Sequence, residues 1–325
     1  MATKLVIFSI CKDEAETIAE LLSRIPKKLK GIDRIETLVI SDGSTDGTAA
    51  VAKKAGATKV IDGQQQKRLA YRFEQALETV LGMGADIAVN IDGDLQFAPE
   101  DIPKLLQPIL EGDADFVAAD RFTDPETGNK RKPAGMPAGK YWANRLGAWI
   151  VGSLSGQKFY DVTCGFRAYT KKAMLAININ SNYTYTQESF QVLAVKRMHI
   201  EAVPIHVKYY EGRKSRVVKS FWQFLFGSAF NILRAFRDYA PMKFFGLLGL
   251  VVFVPGVAIG GFVLWHWIFI GAISPYKALG FIGIYLVTAA FAIWAIGLVA
   301  DMLDRLLSNQ EKILERLKAQ QHDRN

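Results

Sequence analysis

The chain has 325 residues, 50% hydrophobic and 22% charged, enough for one α/β domain and a second unit beside it. Two cysteines, Cys11 and Cys164, are too few for a disulfide framework, and neither has a neighbouring His to suggest a nucleophile. The formal charge of +8 gathers largely beside long apolar runs, which favours anionic lipid over nucleic acid, for which no motif is present.

Leu5–Ile10 is a short apolar run that predicts a buried parallel strand. Ile18, Leu21, Leu22 and Ile25 then recur at helical spacing within Lys12–Leu29. Glu36–Ile40 predicts a second strand, running into Ser41-Asp42-Gly43-Ser44-Thr45-Asp46-Gly47. Ser44 or Thr45 could cap a helix over Thr48–Ala55. Lys59–Ile61, Ala85–Ile91 and Ala114–Ala119 read as strands, with helices over Lys67–Leu81 and Pro99–Leu110 between them. This alternation predicts a mainly parallel, doubly wound sheet, in which ligands bind beyond the carboxyl ends of the strands.

Polar clusters follow three of those ends: Cys11–Glu14, Ser41–Asp46 and Asp92–Gln96. Each alone is good turn chemistry, but three on one sheet edge point to a site. In an extended chain Asp92, Asp94 and Gln96 fall on one face. Two carboxylates and an amide oxygen form a hard, incomplete site for Mg2+ or Mn2+, with positions left for a diphosphate.

Thr123–Pro137 is a long loop rich in Pro, Gly and charge, including Lys130, Arg131 and Lys132, and it reads as a mobile flap. Lys140–Leu154 is helical, Asp161–Tyr169 is a turn entering a short strand, and a helix runs from Thr184 to near Arg197. Pro204 restricts the strand Ile200–Val207 to a sheet edge. Tyr210–Val218 is strongly basic, and the aromatics that follow, Phe221 to Phe236, suggest helices lying in a membrane interface.

Phe244–Ile270 and Ala278–Ala300 are each long enough to cross a bilayer. Lys219, Arg234, Arg237 and Lys243 precede them, Arg305, Lys312, Arg316 and Lys318 follow, and the loop between carries only Lys277. With no signal peptide visible, this predicts an integral membrane protein with the large N-terminal part and both termini in the cytoplasm. Glu311–Gln321 reads as a polar, amphipathic tail. The expected divisions are 1–212, 213–242, 243–306 and 307–325.

Taken in order, six marks resemble a known family. They are Asp13-Glu14, Asp42-Gly43-Ser44-Thr45-Asp46, Asp92-Gly93-Asp94-Leu95-Gln96, Asp120-Arg121, Asp161 with Gly165-Phe166-Arg167, and Thr184–Glu188. Over most of Leu5–Arg216 they resemble the family 2 glycosyltransferases of GT-A fold. The nearer likeness is to the dolichol-phosphate mannose synthase and polyprenyl-phosphate glycosyltransferase group. The resemblance implies a Rossmann-like GT-A catalytic domain, followed by interfacial amphipathic helices and two transmembrane helices.

It further implies roles. Ser9, Cys11, Asp13, Glu14, Asp42, Lys67 and Asp92 would bind a nucleotide sugar. Asp92, Asp94 and Gln96 would hold Mg2+ or Mn2+, which neutralises the diphosphate leaving group. Arg121, Lys140, Arg213 and Arg216 would bind the phosphate of a polyprenyl or dolichyl acceptor, work that suits a planar guanidinium. The implied catalytic set is Asp94, Arg121, Asp161 and Glu188. Asp161 and Glu188 either orient sugar or acceptor or are structural carboxylates.

An ionised lipid phosphate needs no strong base, and His199, His206, His266 and His322 offer no obvious one. A direct displacement would invert the anomeric centre. Ile10, Asp13, Ser41 and Asp62–Lys67 depart from the family's usual nucleotide-pocket residues, which leaves GDP-mannose and UDP-glucose both open as donors. The lipid bilayer is the expected partner, and a homo-oligomer is compatible with the pattern. A processive polysaccharide synthase would carry a Gln-x-x-Arg-Trp motif and more spans; neither is present. A catalytically inactive scaffold would be expected to lack Asp94 or Arg121, and both are present.

Overall fold

Leu5, Val6, Ile7 and Phe8 are all buried, which requires a strand covered on both faces. They belong to β1 (Lys4–Cys11), which pairs in parallel with β2 (Arg34–Asp42) on one side and β4 (Ile87–Asn90) on the other. The computed structural model describes residues 2–179, 185–209, 236–237 and 240–323. The remaining strands are β3 (Lys59–Gly63), β5 (Phe116–Asp120), β6 (Arg167–Thr170) and β7 (Ile200–Pro204). The sheet runs β3-β2-β1-β4-β6-β5-β7 and is parallel except at β6. β7 lies at the edge, where Pro204 costs no ladder bond.

Alternating side chains serve two cores. Val6, Phe8, Leu38, Ile40 and Ala88 face a layer containing Phe73, Phe116 and Tyr185, in which Phe73 and Tyr185 stack at 3.8 Å. Leu5, Ile7, Val39, Ile87 and Val89 face the other layer, with Ile18, Leu21 and Leu105. The helices are α1 (Ile18–Arg24), α2 (Thr48–Lys54), α3 (Leu69–Gly82), α4 (Ile102–Glu111), α5 (Ala138–Ser155), α6 (Lys171–Ala176) and α7 (Thr186–Val195). α4 starts with Pro near its first position and stops at Gly112 in the left-handed region, the usual asymmetry of helix ends.

Three expectations change. The first helix is short, because residues 12–17 form a turn instead. α2 is preceded by Gly47 at φ +83°, not capped by Ser44 or Thr45, whose side chains serve the neighbouring turn. β4 ends at Asn90 and Leu95 sits at φ +57°, so Asp92, Asp94 and Gln96 lie in a turn and not on one face of a strand. Within residues 123–137, read above as a mobile flap, Thr123 and Lys130 bridge to close a short hairpin. There Asp124 accepts from Glu126 N and Thr127 N at 2.9 and 3.0 Å and pairs with Arg131 at 2.5 Å. Arg131 N also donates to Phe122 O at 2.9 Å.

β6 positions the site. It enters antiparallel between β4 and β5, with Arg167 in register with both Asn90 and Ala118. The start of an antiparallel strand lies at the carboxyl edge of its parallel neighbours. Residues 161–166 therefore arrive at the edge where the Asp92 and Arg121 turns begin.

The chain divides into two compact units, residues 1–223 with 314–325 and residues 224–313. Two helices are long and apolar enough to cross a membrane: α8 (Pro241–Ile270), with an 18-residue stretch of mean hydropathy 2.5, and α9 (Lys277–Asp323), with one of 2.2. Within the second unit they pack through small residues: a Cβ on Gly249 would meet Trp294 Nε1 at 2.2 Å, and one on Gly256 would meet Leu286 at 2.9 Å. The second apolar run and the polar tail, read separately in the sequence, form one 47-residue helix. Of the expected interfacial helices, 213–242, nearly all lies outside the described residues.

Candidate functional site

The first two polar clusters form one structure. Asp13, at φ +52°, donates its N–H to Ser44 Oγ at 3.0 Å and accepts from Thr45 N at 2.8 Å. Glu14 N donates to Thr48 Oγ1 at 2.9 Å, and Ala15 N to Asp46 Oδ2 at 2.8 Å. These bonds hold the carboxyl ends of β1 and β2 together.

Asp42 is buried and accepts from Arg72 Nε and the Lys67 backbone N–H, both at 2.8 Å. Arg72 is itself buried and reaches Gln65 O at 2.8 Å; a Cβ on Gly63 would stand 1.9 Å from its Nη2. Sequence reasoning missed Arg72. The signal was an Arg among Ala70, Phe73 and Ala76 on the apolar face of a helix, because a buried guanidinium requires an acid. The Lys67 side chain is exposed, its Nζ 3.4 Å from Tyr71 Oη.

The Asp92–Gln96 turn rests on β1. Cys11 Sγ lies 3.3 Å from Ser9 Oγ and packs under Gly93, where a Cβ would be 2.6 Å from the sulfur. Thr17 Oγ1 donates to Gly93 O at 2.7 Å. Burial pushes the Cys11 thiol up to about 12, so it is a packing group of the site floor. Gly93→Ala should cost about 1–3 kcal/mol of stability by overpacking. Combining it with Cys11→Ala should recover most of that loss in a thermal melt, and independent, additive losses would refute the contact.

Asp94 Oδ1 accepts from Gln96 N at 3.1 Å, and Gln96 O accepts from Lys208 N at 3.0 Å. Asp92 lies against Gly165, where a Cβ would be 2.8 Å from Oδ1. Burial first, then the charge of Asp94, raises the Asp92 carboxyl to about 7, although Arg121 and Arg167 pull the other way. Among the described residues no cluster of three or more His, Cys, Asp or Glu could hold a metal. The two mutually repelling carboxylates still fit a hard divalent cation that takes its other oxygens from substrate and water.

Beside this turn, Arg121 is buried and forked onto Asp161, Nε to Oδ2 at 2.6 Å and Nη2 to Oδ1 at 2.9 Å, with Thr163 Oγ1 at 2.7 Å. Burial opposes the Arg121 charge, but Asp161 lifts its pKa well above the ordinary value. Burial likewise raises the Asp161 carboxyl, and Arg121 more than reverses this, leaving it below the usual range. Tyr209 Oη lies 3.4 Å from Arg121 Nη1, and Lys140 Nζ stands 5.9 Å from the Tyr209 ring centre. Burial and then Arg121 depress the Lys140 ammonium, while Asp161 acts the other way.

Arg167 is fully buried, donating to Cys164 O, Val162 O, Thr186 O and Ser189 Oγ at 2.5–3.1 Å. It fastens the 161–166 turn to the first turn of α7, where Glu188 lies. Neither Arg167 nor Tyr209 had been given a role from sequence. The structure thus gathers Asp92, Asp94, Arg121, Asp161 and Lys140, while Arg213 and Arg216 lie outside the described residues.

A family model described as Glycosyl transferase family 2 matches residues 6–177. The chain is similar to glycosyltransferase AglJ of Haloferax volcanii, 27% identical over 311 residues, covering 94% of this chain and 95% of that protein. It is 26% identical to a UDP-N-acetylglucosamine–dolichyl-phosphate N-acetylglucosaminyltransferase of Methanococcus voltae, over 66% of this chain and 90% of that one. In fold it resembles glucosyl-3-phosphoglycerate synthase from Mycobacterium tuberculosis, solved with Mn2+, UDP-glucose and phosphoglyceric acid. That likeness has a TM-score of 0.54 and 17% identity, covering 71% of this chain and 79% of the other.

Proposed function

The chain belongs to glycosyl transferase family 2 and is a glycosyltransferase, and from that premise we propose that it transfers a sugar from a nucleotide sugar to a dolichyl or other polyprenyl phosphate. The observation that carries this reading is the pairing of two opposite charge surpluses at one sheet edge. The Asp92–Asp94 turn concentrates negative charge, and Lys140 beside the Arg121–Asp161 pair concentrates positive charge. A metal-bound diphosphate answers the first, and an acceptor phosphate answers the second.

Asp92 and Asp94, with Gln96, would hold Mg2+ or Mn2+, and the ion would neutralise the departing nucleoside diphosphate. Asp13, Glu14 and Asp42 would contact the nucleotide, although Asp42 shares its charge with Arg72. Arg121 is already committed to Asp161, so its part is to fix the pocket wall and lend residual charge. Lys140, joined by Arg213 and Arg216, would take the acceptor phosphate. That phosphate is already an anion, so attack on the anomeric carbon needs orientation more than a base, and a single displacement inverts the centre. Glu188 remains the candidate for orienting the sugar.

The two apolar helices would place the enzyme in the membrane that carries its acceptor, with both termini in the cytoplasm by the Lys/Arg bias. A donor screen tests the reading. Purified protein is mixed with a short polyprenyl phosphate, Mg2+ or Mn2+, and GDP-mannose, UDP-glucose or UDP-N-acetylglucosamine in turn. Sugar appearing in the organic phase with one donor identifies the reaction. Transfer to a water-soluble acceptor alone would overturn the lipid acceptor.

A further inference from the structure

We propose that α5 is itself a membrane-contact element, whose Trp142–Leu146–Trp149 stripe seats in an anionic bilayer interface. Between Ala2 and Tyr209 the described residues include six exposed large hydrophobics, and three of them share this one helix face: Trp142 at 68%, Leu146 at 51% and Trp149 at 67% exposure. Their spacing, i, i+4 and i+7, is that of one helical stripe. The opposite face, Asn144, Ala148 and Val151, is buried. The other three, Tyr71, Leu110 and Val195, belong to different helices.

Charge and composition select the occupant. From Thr127 to Tyr160 the chain contains no Asp or Glu, and carries Lys130, Arg131, Lys132, Lys140, Arg145 and Lys158. Arg131 pairs with Asp124, Lys130 with Asp120, and Lys140 faces Tyr209, while Arg145 lies on the helix that carries the stripe and the stretch as a whole is positive. Tryptophan combines a large apolar body with an N–H that needs a polar partner, the combination that partitions to headgroup depth. Basic flanks add attraction to anionic lipid. A second copy of the chain fits less well: three side chains offer roughly 400 Å² or less, against about 800 Å² per partner in a stable dimer.

A nitroxide at Trp149→Cys in the full chain, reconstituted into phosphatidylcholine/phosphatidylglycerol nanodiscs, reads the proposal directly. Cys11 and Cys164 are both 1% exposed, so labelling is confined to the introduced thiol. Lys54→Cys on α2 is the water-exposed reference. At position 149 we expect several-fold higher oxygen access and several-fold lower access to a water-soluble nickel chelate than at position 54, with Trp142→Cys behaving alike. Nickel access equal to the reference places the face in water and overturns the proposal. Low access to both reagents means protein covers it, and spin broadening relieved by unlabelled chain means a second copy does; either also overturns it. No readout requires a sugar donor, so this surface and the proposed transfer fail independently.

Discussion

Asp94→Ala should lower turnover by about 10³-fold or more with every donor, while the chain still inserts into membranes. Asp94 keeps some solvent exposure, so its loss should cost less stability than the loss of a fully buried charge. The large effect on rate follows because one carboxylate of an already minimal metal pair disappears. A second signature lies in the pH dependence of stability. The folded Asp92 pKa is raised to about 7, above the ordinary carboxylate value of 3.8. The neutral form is therefore the favoured one, and its stabilising contribution, complete below about pH 4, is lost as pH rises through 7. Removing Asp94 removes one cause of the raised pKa. In EDTA, the drop in melting temperature between pH 5 and pH 8 should then be smaller for the variant than for the natural chain. Mg2+ or Mn2+ competes with the same proton, so its stabilising shift should be greater at pH 8 than at pH 6 in the natural chain and largely absent in the variant. Near-normal turnover in Asp94→Ala would remove the metal proposal.

Asp161→Ala should be the most destabilising single change at the site, by about 3–5 kcal/mol, because it strands the buried Arg121 guanidinium. For a domain of this size that is a melting shift on the order of 10 °C, read by circular dichroism in detergent. The Asp161 pKa is depressed, so the pair's contribution is present above the unfolded carboxylate range and is lost only as pH falls through the folded value; it holds across neutral pH. Arg121→Met combined with Asp161→Leu separates structure from function. The double change removes both charges and should regain much of the lost stability, as apolar replacements of buried pairs commonly do. Its transfer activity should stay low if the pair orders the acceptor pocket. Full activity in the double variant would reduce Arg121 and Asp161 to a structural pair.

The sequence determined what depends on near neighbours. Apolar runs of strand length and helical spacings are local, so the strand–helix alternation, the polar clusters at strand ends and the two bilayer-length helices could be read before any coordinates. The Asp92–Gln96 cluster was legible for the same reason, although its shape was not: an alternating strand was the default, and the turn arises because Gly93 must close onto Cys11 and Thr17.

Only the tertiary structure decided which distant groups meet. Arg72 finds Asp42 across 30 positions, and Arg121 finds Asp161 across 40. Arg167 enters the sheet between Asn90 and Ala118 because β6 runs against its neighbours. Nothing in a local pattern encodes those pairings. They follow from strand order and register, which are selected by burying the five central strands at once and by supplying each buried charge with a partner.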